Sequence, residues 1–163
     1  MIRKALSFIL IAVLFLSACQ EVDTFTEDEK EAVRSRVKQM LDDYYSAIRT
    51  GGMMAEFGYL DNSPEFFWVP PGYSSWISYD SVATVLKANA PAFSSVDNVW
   101  DTLRVDPLTR EYATYSGTLY TTMTDTAGTV TRVSAIETGV VVKRKDGWKL
   151  LRGQTSLLPQ DGQ

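Results

Sequence analysis

The sequence is 163 residues long, 45% hydrophobic and 12% aromatic, with a net charge of −4 and no histidine. That length suits one domain with its own core, and the acidic balance excludes the basic footprint of a nucleic-acid binder. Without histidine the chain carries no Ser-His-Asp triad, Cys-His pair, His-ligated zinc or His general base.

The chain opens with Arg3 and Lys4 and then runs almost unbroken through apolar residues from Ala5 to Leu16. A short charged segment before about a dozen apolar residues is the layout of a secretory signal, and the run is shorter than the roughly 20 residues of a membrane-spanning helix. It ends in Leu16-Ser17-Ala18-Cys19, which holds the only cysteine of the chain. This quartet resembles the bacterial lipobox, in which the thiol is acylated and the peptide bond before it is cut. The resemblance implies a signal peptide over 1–18 and a lipidated Cys19 on a polar tether, 19–25. Acyl chains contribute about 0.8 kcal/mol per buried methylene, so two or three of them anchor a protein durably. Gln20 after the cysteine, rather than Asp, implies the outer membrane of a Gram-negative cell envelope, with the domain facing the periplasm. Cleavage removes Arg3 and Lys4 and takes the net charge from −4 to −6. Acylation of Cys19 leaves no thiol for a disulfide or a Cys-ligated metal.

Thr26 and Glu29 have capping-box spacing, with acidic residues in the first turn, where the helix dipole favours them. Val33, Val37, Met40, Leu41, Tyr44, Tyr45 and Ile48 then recur at steps of three and four, predicting an amphipathic helix that Gly51 and Gly52 stop. Its polar face is mixed and partly acidic rather than rich in Lys and Arg, so the apolar face belongs against a core and not a membrane. "MMAEFGYL" predicts a short second helix, and "EFFWV" a strand closed by Pro70-Pro71-Gly72. Asp80 is placed to cap a third helix carrying Val82, Val85 and Leu86, ended or kinked by Pro91. From Ser95 the period changes to two and predicts four strands, over 96–106, 111–124, 129–144 and 147–158. Asp106-Pro107, Asp125-Thr126-Ala127-Gly128 and Lys145-Asp146-Gly147 mark the turns, and turns this short join antiparallel strands. Helices first and long strands last predict an α+β domain over 26–158, followed by a polar tail, 159–163.

Two stretches carry a family resemblance, "DDYYSAIRTGGMMAEFGYLDNSPEFFWVPPG" and "ETGVVVKRKDGWKLLRGQTS". The first is similar to the helix, short helix and first strand of the nuclear transport factor 2-like superfamily, which includes SnoaL-like and ketosteroid-isomerase-like domains. The second is similar to its last hairpin. The resemblance implies a cone-shaped, strongly curved antiparallel sheet, a cystatin-like roll, closed at its mouth by a long N-terminal helix and two shorter ones. It also implies a homodimer, because relatives pair their sheets back to back and "REYATYSGTLYTTM" mixes Tyr and Thr on one side of a strand. The fold hosts enzymes, binding modules and assembly domains alike, so it gives no activity by itself. Many relatives carry His or Asp in the last strand where this chain has Arg152 and Gln154, and no acid/base Asp of the isomerases or cyclases maps onto it.

Glu137 is the most informative acid. It alternates with Val133, Ala135, Gly139 and Val141 on one side of its strand, while Ile136, Val140 and Val142 make the other side apolar as well. In a dry cone its pKa would rise and it could act as a general base. The alternative is a structural ion pair with Arg152 or Arg132. Tyr45, Phe67, Trp68, Trp76, Trp100, Tyr115 and Tyr120 are read as lining a pocket for a small apolar or planar ligand, with core packing as the alternative. Tyr44 or Tyr45 with Glu137 is the pair suited to acid–base chemistry. Asp42-Asp43, Asp61 and Asp125 read as solvated helix, cap or turn residues, since their spacing matches no calcium loop. Lys143-Arg144-Lys145 reads as a solvated turn, and neither a metal nor a cofactor is expected.

The function expected from these residues is a lipid-anchored, non-catalytic envelope protein whose cone binds a small, largely apolar ligand or a protein partner. Two others stand beside it: a His-independent isomerase, cyclase or dehydratase working with Glu or Asp and Tyr, and a structural dimerisation module. The interior decides between them. A buried carboxylate beside a phenol in an open pocket favours the enzyme, and a pocket filled by its own side chains favours the structural module.

Overall fold

The structure, a computed structural model, describes residues 24–159. The signal segment 1–18, Cys19 and the tether as far as residue 23 lie outside the described residues, as do residues 160–163 of the tail.

Helix α1 (Glu27–Gly51) begins at the capping box: the Thr26 hydroxyl accepts from the Glu29 amide, and the Glu29 carboxylate accepts from the Thr26 amide. Arg110, far along the chain, holds both oxygens of that carboxylate at 2.7 and 3.0 Å and pulls its pKa down to about 2. All of Val33, Val37, Met40, Leu41, Tyr44, Tyr45 and Ile48 are buried. The helix ends where Gly52, at φ 80°, returns its amide to the Ile48 carbonyl.

A 3-10 helix (Met53–Gly58) follows, then β1 (Phe67–Val69), α2 (Tyr79–Asn89), a 3-10 turn (Ala90–Ala92), β2 (Phe93–Pro107), β3 (Tyr112–Asp125), β4 (Val130–Arg144) and β5 (Gly147–Leu157). Ser78, not Asp80, caps α2: the Ser78 hydroxyl accepts from the Ser81 amide, and Asp80 sits in the first turn, where its charge complements the dipole. Strand β2 starts at Phe93, ahead of residue 96, because an irregularity between Phe93 and Ser95 interrupts the alternation without ending the pairing with β3.

The sheet runs β1-β5-β4-β3-β2, curved and unclosed. Strands β2 to β5 pair antiparallel, but β1 lies parallel to β5 and makes one edge of the sheet unlike the rest. The first strand of the sheet thus lies beside the last and runs in the same direction. Leu60 prolongs this parallel edge by bridging to Leu150. Helix α1 packs chiefly across β2, and the core between helix and sheet closes around Val37, Leu41, Val105, Val141 and Leu150.

Three mid-strand glycines let aromatic rings lie flat against neighbouring backbone. Trp100 covers Gly117, Tyr115 covers Gly139 and Trp68 covers Gly153; a Cβ at these positions would meet the rings at 2.9, 2.8 and 2.5 Å. Asp61 is not a solvated turn residue. It is 5% exposed and takes a two-pronged grip from Arg144, at 2.7 Å on each oxygen, with Ser63 donating at 2.6 Å. The guanidinium of Arg144 holds the Asp61 carboxyl below its usual range. That pair staples the segment before β1 to the end of β4, and it takes Arg144 out of the solvated turn. Among the described residues no helix is long and apolar enough to cross a membrane.

Candidate active site

Glu137 faces inward. The ambiguity of β4 has a physical cause: the register against β5 shifts between Val140 and Val141, so Val141 and Val142 are both buried, while Ile136 points outward. Upstream of the bulge the alternation is regular, and it carries Ala135 and Glu137 to the concave side.

The carboxylate is 5% exposed and receives three hydroxyls. Tyr115 donates to Oε1 at 2.8 Å; Tyr45 and Thr155 donate to Oε2 at 3.1 and 3.0 Å. The indole N–H of Trp68 in turn donates to the Thr155 hydroxyl at 3.3 Å. Neither expected arginine takes part. Arg152 donates to the Glu65 carbonyl and lies over the Phe67 ring, and Arg132, five residues before Glu137 on the same strand, is exposed on the opposite face.

Burial raises the pKa of Glu137, and the three donated hydrogen bonds oppose that rise by stabilising the anion. Burial likewise raises Tyr45 and Tyr115 well above the normal phenol value, so both remain donors at any physiological pH. Tyr45 is fixed by ring packing on both sides, 4.8 Å from Tyr44 and 5.1 Å from Trp100, and Trp100 meets Tyr115 edge-on at 6.1 Å.

Beside Glu137 lies a cavity of about 190 Å³. Its walls are largely apolar: Leu60 and Phe66 before β1, Ile77 after it, Val82, Val85 and Leu86 of α2, and Leu150 of β5. Trp68 and Pro70 complete them, and the polar lining consists of Glu137, Thr155, Tyr44 and Glu56. Among the described residues no lysine or arginine lines it. Glu56, in the 3-10 helix, was not singled out from sequence; it accepts from the Tyr44 hydroxyl at 3.4 Å, and burial raises its pKa to about 7. Among the described residues no three His, Cys, Asp or Glu side chains gather as a metal set.

Of the residues expected in the pocket, Trp68 and Glu137 line it, while Tyr45 and Tyr115 stand behind the acid and hold it. Trp100 supports those phenols without reaching the cavity. Three expectations are corrected. Phe67 points away from Trp68 along the pleat and packs on Trp76, which is 62% exposed, and Tyr120 is 55% exposed on the outer face. Aromatic content alone does not separate the two sides of a strand, whereas neighbours in sequence must take opposite ones.

A long helix followed by this sheet, with a carboxylate in its hollow, is matched by the SnoaL-like domain family over residues 37–160. The chain belongs to the SnoaL-like domain family. Comparison with curated proteins gave no match. Among solved structures, the SnoaL-like chain is similar to a candidate scytalone dehydratase of Novosphingobium aromaticivorans (TM-score 0.72, 12% identity, 82% of this chain and 89% of that one). It is similar also to a nuclear transport factor 2-like superfamily protein of Salmonella enterica serovar Typhimurium (TM-score 0.67, 14% identity, 81% and 95%). A third is the hexachlorocyclohexane dehydrochlorinase LinA-type3 of Novosphingobium barchaimii (TM-score 0.63, 12% identity, 85% and 97%). At these identities the likeness speaks for the fold: an α+β domain of the nuclear transport factor 2-like kind, whose structural relatives include enzymes.

Proposed function

We propose that this SnoaL-like domain is an enzyme that binds a small, largely apolar molecule and removes a proton from it with Glu137. The observation that carries the reading is the buried Glu137 carboxylate, held by Tyr45, Tyr115 and Thr155 at the polar end of an otherwise apolar cavity. Three hydroxyls fix the carboxylate in place while desolvation raises its basicity, the combination that general-base catalysis needs. Histidine is dispensable to such a site. This reading departs from the non-catalytic one expected from sequence, because the interior holds an ionisable group beside phenols rather than hydrocarbon alone.

A substrate-independent test is the ring opening of 5-nitrobenzisoxazole, a small planar bicycle that needs only proton abstraction in an apolar site. The described domain is expected to open it faster than acetate at equal concentration, with a rate that rises with pH along an ionisation above 4.5. Glu137→Gln should lower that rate by about 10²-fold, within the usual range for a positioned base. Equal rates for wild type and Glu137→Gln would sink the proposal.

We propose further that acylated Cys19 holds the domain at a bilayer of the cell envelope, a reading supported by the charged start, the apolar run and the Leu16-Ser17-Ala18-Cys19 quartet. Cys19→Ala should move the protein from the membrane fraction to the soluble one. A wild-type protein whose mass shows no acyl chain overturns this.

A further inference from the structure

We propose that Glu56 is the acid partner of Glu137, so that the cavity is a two-carboxylate acid–base site in which one residue takes a proton while the other delivers one. This rests on the reading of Glu137 as base. Its own support is geometric. The two carboxyl groups come from different elements, the 3-10 helix and β4, yet both line the same cavity. Each is held by one of two adjacent tyrosines of α1: Tyr44 donates to Glu56, and Tyr45 donates to Glu137. The two phenol rings pack at 4.8 Å, so the acids are positioned by a single rigid step of the helix.

Unequal solvation by hydroxyls assigns the roles. Glu137 accepts three hydrogen bonds of 2.8–3.1 Å, whereas Glu56 has a single long one of 3.4 Å from Tyr44. The anion is therefore better stabilised on Glu137, which gives up its proton first, and its charge then makes ionisation of Glu56 harder. The groups facing Glu56 across the cavity are Tyr44 from α1 and Glu137 from β4; α2 contributes only Val82, Val85 and Leu86, and among the described residues no cation lines the site. In this assignment Glu56, with the single long hydrogen bond, is the group that gives a proton, and Glu137, with three short ones, is the group that takes it. Environments that push two carboxyls apart in this way divide acid from base.

The substrate class follows from the chemistry. Glu137 takes a proton from carbon, the C–H electron pair becomes a new π bond, and an oxygen elsewhere on the molecule leaves or accepts electrons and receives the Glu56 proton. Each turnover ends with Glu137 protonated and Glu56 ionised, and exchange with water restores both. No redox partner is required. The substrate is thus a small, largely apolar compound with a departing or electron-accepting oxygen too basic to manage without protonation.

Benzisoxazoles of graded leaving-group basicity test this directly, since base attack breaks the ring N–O bond and releases a phenolic oxygen. For 5-nitrobenzisoxazole, whose oxygen leaves readily, Glu56→Gln should reduce the rate by no more than about threefold. For the unsubstituted ring the loss should grow to about 10²-fold, the size of a positioned general acid's contribution. Glu56→Asp, which keeps a proton to give, should restore the shallow dependence of the wild type. A Glu56→Gln deficit that is the same for every ring, or absent from all, overturns the acid role while leaving Glu137 as base. If wild type opens no ring faster than Glu137→Gln, both readings fall together.

Discussion

Gly139→Ala is expected to destabilise the domain by about 3 kcal/mol, at the upper end for overpacking a closed core. The Cβ of the new alanine would lie 2.7 Å from the Arg152 carbonyl oxygen and 2.8 Å from the Tyr115 ring. The carbonyl belongs to the β4–β5 ladder and cannot yield without breaking the pairing of Gly139 with Gly153. The ring can yield only by lifting the Tyr115 hydroxyl off Glu137, 2.8 Å away. Either route loses something already counted as stabilising. Gly58→Ala is the control: a Cβ there meets nothing within 4 Å, and the change should stay within about 0.5 kcal/mol of wild type. Urea denaturation of the two variants reads the difference. A Gly139→Ala domain as stable as Gly58→Ala would mean that Tyr115 does not rest on the sheet as described. The same variant should also raise the ionisation governing ring opening, since Glu137 would lose one of the donors that favour its anion.

Glu56→Gln is expected to stabilise the domain at alkaline pH by up to about 3 kcal/mol, while leaving it almost unchanged in acid. The pKa of Glu56 rises from 4.5 when unfolded to about 7 when folded, mainly through burial. Below pH 4.5 the group is protonated in both states and costs nothing. Between 4.5 and about 7 the unfolded chain ionises first, and stability is lost; above that the loss is complete and constant. Glutamine cannot ionise, so the variant escapes the whole penalty. The figure is an upper limit, because Glu56 keeps part of its surface in water. Thermal unfolding at pH 4, 6 and 8 should show the two melting curves separating as pH rises, with the variant several degrees higher at pH 8. Curves that stay parallel, or a variant that melts lower at pH 8, would contradict the burial of an ionisable Glu56. A stabilising change in a residue proposed to donate a proton fits the common trade of stability for activity at functional sites.

What could be read from the sequence followed one-sided burial. The stripe from Val33 to Ile48 appears as steps of three and four because α1 buries one face only, and the strands appear as alternation for the same reason. Glu137 was visible as an acid inside that alternation. Tyr45 is legible as its partner and Tyr115 as a pocket residue, but Thr155 is not, and only the folded sheet brings all three hydroxyls to one carboxylate. Glu56 lies in a 3-10 helix of six residues, too short to show a period. Asp61 resembled any turn aspartate until the fold brought Arg144, 83 residues on, against it. Aromatic content overstates the pocket where strand alternation is the stronger constraint: Phe67 and Trp68 are adjacent, so only one of them can face the cavity.

The two ends of the cavity are built to different tolerances. At the polar end, Glu137 is locked by α1 and by strands of eleven to fifteen residues. The apolar lining is uneven: Leu60, Phe66 and Leu150 are buried, whereas Trp68 lies on β1, three residues long, and Val85 and Leu86 on α2, in which only Val82 is buried. Elements so lightly tied open and shift at little cost. Under the proposed reading, selection by this pocket would be strict about where the proton sits and lenient about the outline of the carbon skeleton. A series of homologues should share one chemistry with similar affinities, the behaviour of a generalist. If Glu137 is the base proposed above, substitution along α2 can alter the apolar lining without disturbing that acid, and a lineage built on this frame has room to change substrates while keeping one reaction.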